Sequence, residues 1–310
     1  MGAPTADGCQ RRGRRRPRGS PAPAAAGGPP SRSRLVSPLD VSKGTFAYIQ
    51  GEMIGRGAYG CVYKALDSET GQIFVVKEVA LDMGSKEDNG YRERLMDELE
   101  ICQNVSHKNV VSYLGHEHDD SHVRIFLEYV AGGPMTSVLR EFGPLRGTLM
   151  KMAARGTLEG LNYLHSRSPP IVHRDIKGAN VLVDLSFCVR LADFGCSKRD
   201  EMTMSYTMLG SIPWMAPEVI QREGGHGRKA DIWSLGCTLI EFASAERPWG
   251  NSKFDNNPVF AMWHIGASDA TPPIPDSAAD DERELISRCV QRSPDDRPWT
   301  EELLQMSFVA

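Results

Sequence analysis

Gly55-Arg56-Gly57-Ala58-Tyr59-Gly60 spaces three glycines so that backbone N–H groups can approach an anion with no Cβ in the way. Phosphate is the anion that such a loop suits. The residues after the last glycine decide the kind of loop. Cys61-Val62-Tyr63-Lys64 is β-type, so a hairpin between two strands is expected, not the strand-to-helix turn of a dinucleotide fold. Seventeen residues after Gly60, Phe74-Val75-Val76-Lys77 ends an apolar strand on a lysine. An ammonium there is costly unless it finds a partner. Phosphate oxygens are one candidate and a glutamate on the following helix is another: Glu98 first, with Glu93 and Glu100 nearby.

Further along, His173-Arg174-Asp175-Ile176-Lys177-Gly178-Ala179-Asn180 follows a helical stretch ending Tyr163-Leu164-His165. Asp193-Phe194-Gly195 stands thirteen residues beyond Asn180. In joint order and spacing these strings resemble the signature set of eukaryotic protein kinases. Ala216-Pro217-Glu218 and Asp231-Ile232-Trp233-Ser234-Leu235-Gly236 extend the match, with Arg297 as the implied buried partner of Glu218 and Asp231 as a brace for the catalytic loop.

The resemblance implies ATP and Mg2+ as cofactors. It makes Asp175 the group that orients the substrate hydroxyl and takes its proton, and sets Lys177 against the transferring phosphate. Asn180 and Asp193 become hard-oxygen ligands for magnesium. Lys77 would hold the α- and β-phosphates and Glu98 would orient Lys77. The implied nucleotide site takes in Ile54, Gly55, Arg56, Gly57, Ala58, Tyr59, Gly60, Cys61, Val62, Lys77, Leu127, Glu128, Val130 and Leu182, with Leu127 as gatekeeper and Glu128 and Val130 offering backbone groups to adenine. Cys61 and Cys196 are read as buried, inert thiols.

Lys177-Gly178-Ala179-Asn180 resembles serine/threonine rather than tyrosine kinases. His107-Lys108-Asn109-Val110-Val111, Trp214-Met215-Ala216-Pro217-Glu218-Val219-Ile220 and Gly236-Cys237-Thr238-Leu239-Ile240-Glu241 are similar to MAP kinase kinase kinases. That reading would make the substrate a MAP kinase kinase. Gly210-Ser211-Ile212-Pro213-Trp214 departs from the usual Gly-Thr-Pro-Tyr-Trp; Ser211 keeps the hydroxyl that would brace Asp175 and Lys177, while Ile212 and Pro213 are expected to alter the wall beside the acceptor residue. Raf-like kinases also carry Gly-Ser-x-x-Trp and are the rival at this level. A pseudokinase scaffold is a further rival, but it usually lacks the equivalents of Lys77, Asp175 or Asp193, and all three are present. Arg174 beside the catalytic aspartate implies control by a phosphate on the activation segment, added by an upstream kinase or by autophosphorylation. Thr207 is the expected phosphosite.

To hold these residues the chain needs two lobes. Phe46–Ile54, Cys61–Leu66 and Ile73–Val79 read as strands, then 89–104 as a helix, then Val110–Leu114 and Val123–Val130 as strands. Helical periodicity takes over from Met135: Leu145–Ser166, Lys229–Ala245, Pro258–Ile265, Asp281–Val290 and Glu301–Val309. The fold class is therefore α+β, a bilobal kinase-like arrangement with a small antiparallel-sheet lobe (about 45–130) and a larger helical lobe (about 131–310).

Residues 1–44 are expected to be a disordered basic head. Before Leu35 there is no Leu, Ile, Val or aromatic residue, and residues 1–34 carry eight Arg against one Asp, a net +7. The other residues sum to −11, so any binding of nucleic acid or an anionic surface is expected only through the head. No apolar stretch follows the Arg cluster, against a secretory signal, and no run approaches a transmembrane span. Seven scattered cysteines with no Cys-x-x-Cys pair suit a reduced compartment without disulfides. A cytoplasmic location is expected, with nuclear or organellar targeting as the other use of the head.

Overall fold

A computed structural model describes residues 47–57, 60–80, 95–96, 99–100, 102–119, 121–194, 210–222, 226–254 and 257–310. All belong to one unit, Leu35–Ala310. Five antiparallel strands build the small lobe: β1 (Tyr48–Gly57), β2 (Gly60–Asp67), β3 (Ile73–Ala80), β4 (Tyr113–His118) and β5 (His122–Glu128), in the order β1-β2-β3-β5-β4. The Gly-rich stretch is a hairpin, with Gly57 opposite Gly60, as the β-type residues after it require. Asp67 shapes the next turn: its carboxylate accepts from the Glu69 N–H at 2.8 Å and the Thr70 hydroxyl at 2.6 Å.

Strand alternation sorts the small-lobe side chains into two layers. Phe74 and Val76 join Ala65, Leu114 and Phe126 on one face, where Tyr48, Phe74 and Phe126 meet edge to face at 5.6–5.7 Å. Val79 lies on the other face with Val123 and Ile125, against Leu95 and Leu99 of the small-lobe helix. Residues 95–96, 99–100 and 102 are helical, as expected for 89–104. Lys77 shares the parity of Val79, so the register turns it away from the aromatic layer. Gly60 has a structural reason of its own: at φ +154° an added Cβ would stand 1.8 Å from the Glu78 carbonyl.

The large lobe contains α1 (Met135–Phe142), α2 (Gly147–His165), the hairpin β6 (Val181–Val183) and β7 (Val189–Leu191), α3 (Pro217–Gln221), α4 (Arg228–Ser244), α5 (Pro258–Ala267), α6 (Asp280–Cys289) and α7 (Thr300–Leu303). Every residue of α4 from Ala230 to Ala243 is buried. A helix covered on all sides belongs at the centre of a lobe, and the others pack around it.

Some boundaries depart from expectation. Val110 forms only a single bridge to Leu191, and the fourth strand runs Tyr113–His118 instead of Val110–Leu114. The apolar run there crosses the core, and the strand continues through polar residues that apolar patterning does not flag. The last helix stops at Leu303, well short of Val309. Cys102, expected as a free thiol, is disulfide-bonded to a partner outside the described residues. Such pairing depends on proximity in the fold and not on spacing along the chain. Cys61, Cys188, Cys237 and Cys289 are free.

Candidate active site

The segment after α2 is held from beneath by a buried carboxylate. Asp231, in the first turn of α4, accepts from the backbone N–H of His173 at 2.7 Å and of Arg174 at 2.9 Å. His165 Nε2 lies 2.9 Å from Asp231 Oδ2, and His226 Nε2 lies 3.4 Å from Oδ1. Burial would raise this carboxyl, but the two imidazoles outweigh it and hold Asp231 well below the usual carboxylate range. Arg174 sits in the left-handed region at φ +68°, and so does Asp193 at +63°. Non-glycine residues take that conformation only where their surroundings impose it.

Above this brace the polar side chains converge. Lys177 Nζ donates to Asp175 Oδ2 at 3.0 Å and to Ser211 Oγ at 2.8 Å. Asn180 Nδ2 donates to Asp175 Oδ2 at 3.0 Å and to its carbonyl at 2.8 Å. The β6–β7 hairpin explains the thirteen-residue interval between Asn180 and Asp193. Val181 faces Leu191, so residues just before β6 and just after β7 emerge at the same end, and the Ala192 N–H closes on the Asn180 carbonyl at 2.9 Å. Lys77, reaching in from the small lobe, donates to Asp193 Oδ1. Burial would raise the Asp193 carboxyl; the Lys77 charge and hydrogen bond prevail and hold it below its ordinary value.

Leu127 and Glu128 end β5, and Val130 follows. The Val130 carbonyl accepts from the Gly133 N–H at 3.1 Å, which fixes the turn that follows β5. Glu128 is fixed by Ser112, whose hydroxyl donates at 2.9 Å, and by Arg190 at 3.0 Å. Leu182 is on β6, bridged to Pro134. Ile54 is exposed on β1, Gly55 and Arg56 complete that strand before Gly57, and Cys61 and Val62 open β2, half-buried, with Val62 opposite Lys77. Cys61 is thus less buried than expected. Ala58, Tyr59, Glu98, Cys196 and Thr207 lie outside the described residues. Glu100 is exposed.

Ser211 braces Lys177 as expected. Ile212, expected to line the acceptor wall, is instead 2% exposed and packs into the large-lobe core, as its apolar side chain favours. The Pro213 carbonyl accepts from the Trp249 indole at 3.0 Å. The implied pair is present: both Arg297 terminal nitrogens meet Glu218, at 2.6 and 2.8 Å.

Sequence reading assigned no role to Glu241. Its buried carboxylate accepts from the Gly178 N–H at 2.8 Å and the Trp214 indole at 3.0 Å. A signal was available. Within the buried stretch Ala230–Ala243 of α4, Asp231, Ser234, Thr238 and Glu241 are four polar residues at intervals of three and four among apolar neighbours, a single stripe.

No cluster of three or more His, Cys, Asp or Glu suited to a metal occurs among the described residues. One carboxylate and one amide oxygen, from Asp193 and Asn180, form a donor set that fits magnesium, which keeps its remaining places for water and phosphate. With its amide nitrogen engaged on Asp175, Asn180 has its oxygen left as the ligand atom.

Comparisons with known proteins agree with this geometry. Residues 48–309 match the protein kinase domain model. The chain is 42% identical over 267 residues to mitogen-activated protein kinase kinase kinase ANP1 of Arabidopsis thaliana, covering 84% of this chain and 39% of that protein. It is 38% identical over 275 residues to mitogen-activated protein kinase kinase kinase A of Dictyostelium discoideum, covering 87% and 28%. With MAP kinase kinase kinase mkh1 of Schizosaccharomyces pombe it shares 36% over 280 residues, covering 86% and 24%. The chain therefore spans well under half the length of these relatives. The hairpin glycine loop, the braced loop around Asp175 and the family match together establish that this chain belongs to the protein kinase domain family.

Proposed function

We propose that the chain is a serine/threonine protein kinase of the MAP kinase kinase kinase type, transferring the γ-phosphoryl of ATP to a hydroxyl of a MAP kinase kinase. The convergence of Lys77, Asp175, Asn180 and Asp193 at the mouth of the β6–β7 hairpin carries this reading. Mg·ATP, when bound, supplies the phosphoryl group and the metal charge. Lys77 gives its ammonium to phosphate oxygens and Glu98 orients it. Asn180 and Asp193 hold magnesium through oxygen. The Gly55–Gly60 loop covers the phosphates, while Leu127, Glu128, Val130 and Leu182 border the adenine.

Asp175 receives the acceptor hydroxyl and takes its proton as the new bond forms. Lys177, shared between Asp175 and Ser211, offers positive charge where the transferring group passes. Little covalent work falls to the protein, so its task is alignment. Phosphorylation of Thr207, with Arg174 as the receiving cation, controls that alignment. Among the described residues no helix is long and apolar enough to cross a membrane. We assign the protein to the cytoplasm, with the Arg-rich head as its contact to anionic surfaces.

A radiolabelled-phosphate assay on a MAP kinase kinase and on a generic basic protein tests the reading. Asp175→Asn should lower kcat on the order of 100- to 1000-fold while Mg·ATP still binds. Equal turnover by the variant would sink the assignment.

A further inference from the structure

Three apolar side chains stand in a row at the outer end of the small-lobe sheet. Ile49 faces Leu66 across β1 and β2, and Leu66 faces Ile73 across β2 and β3. Residues paired in this way project from the same side of a sheet, so the three form one apolar strip. They are 61%, 38% and 49% exposed. The register sets the strip on the Lys77 face, away from the aromatic layer of Tyr48, Phe74 and Phe126. Single exposed hydrophobes are ordinary, but three adjoining ones on three strands call for a cover. The strip also borders an edge. In the order β1-β2-β3-β5-β4, β1 is terminal and is paired on one side only among the described strands. An edge strand with an apolar face invites pairing with another chain unless something covers it.

The chain itself brings a cover to this place. The Ser68 N–H donates to the Ala47 carbonyl at 3.1 Å, so the backbone enters β1 beside the β2–β3 turn, at the strip's own end of the sheet. Residues 35–46, which lead to that point, lie outside the described residues. They overlap the end of the head expected over 1–44, yet their composition differs from the rest of it. Residues 2–34 hold no Leu, Ile, Val, Met or aromatic residue, and then Leu35, Val36, Leu39 and Val41 follow in quick succession. The compact unit that holds the kinase fold likewise begins at Leu35. An extended step from Val41 to Ala47 reaches up to about 20 Å, whereas three adjacent strands span about 10 Å. Leu39 and Val41 can therefore meet the whole strip. A tether this short holds the segment at an effective concentration in the millimolar range, an advantage over any free partner.

We infer that residues 35–41 dock on the strip of Ile49, Leu66 and Ile73, covering the outer end of the small-lobe sheet with this chain's own apolar segment. The inference goes beyond the kinase reading and uses none of its catalytic residues.

Tryptic cleavage after Lys43 reports on the docking, because a protease needs the residues on both sides of the bond released from the fold. Wild type should be cut there at least about 10-fold more slowly than Leu39→Asp/Val41→Asp, and more slowly by a similar factor than Ile49→Asp. Combining the segment and strip variants should add no further increase, since either one releases the same contact. The Tm of each variant, measured alongside, separates local release from global unfolding. If Ile49→Asp does not fold, Ile49→Thr keeps a β-branched residue in β1 and should show the same change in smaller measure. Equal cleavage rates in wild type and every variant would overturn the inference. So would a concentration-dependent dimer that Ile49→Asp dissolves while cleavage after Lys43 is unchanged, which would give the strip to a second copy of the chain.

Discussion

Two buried carboxylates on α4 are pushed in opposite directions by what surrounds them. Asp231 receives two backbone N–H groups and faces two imidazoles, so its charge is welcome. Glu241 has two neutral donors, with Lys177 contributing only through space, so desolvation prevails and the carboxyl rises from near 4.5 to about 7. The sign of the resulting pH dependence follows from proton counting. Between those values the folded protein binds more protons at Glu241 than the unfolded chain does, so this group's contribution to stability falls as pH rises through the window. It is constant below about 4.5 and above about 7. Denaturant titrations of wild type and Glu241→Gln from pH 4.5 to 7 should therefore diverge in slope, by on the order of 3 kcal/mol across the window. Parallel curves would show that Glu241 is already charged at the acid end.

At the scale of elements, α4 organises the large lobe by pairing an apolar surface with one polar stripe. Each stripe residue holds something outside the helix or the helix itself: Asp231 the catalytic loop, Ser234 the Trp214 carbonyl, Thr238 the Ser234 carbonyl at 2.8 Å, and Glu241 both Gly178 and Trp214. The α3 helix is anchored differently. Arg297, 1% exposed, gives two N–H groups to Glu218 and the other three to the carbonyls of Gln291, Lys229 and Arg292. All five guanidinium donors are thereby used. Glu218→Ala would leave that cation buried without its counter-charge, and should destabilise the protein by roughly 3–5 kcal/mol in urea unfolding. A loss under about 1 kcal/mol would show that water or another carboxylate takes over.

For the whole molecule, charge is divided unequally: the first 34 residues carry +7 and the others −11. We propose that the head is an electrostatic contact separate from catalysis. Deleting residues 1–34 should leave peptide phosphorylation within about twofold and abolish salt-sensitive binding to anionic vesicles or nucleic acid. Binding that survives the deletion would place the contact on the acidic kinase domain, against its overall charge.

The sequence by itself determined what depends on short-range order. An apolar run ending on Lys77 marked a strand whose ammonium needs a partner, the β-type residues after Gly60 made the glycine loop a hairpin, and the motifs around Asp175 and Asp193 implied the chemistry through their resemblance to protein kinases. These signals survive in one dimension because β alternation and turn chemistry are local. The tertiary structure alone decided the partners: that Asn180 and Asp193 emerge together from the β6–β7 hairpin, that Lys77 reaches Asp193 across the lobes, that Ile212 faces the core, that Cys102 is paired, and that Glu241 lies under Gly178. Each of those depends on which surface another element covers; where a period does exist, as in the polar stripe of α4, it marks a buried polar face without naming the distant segment that meets it.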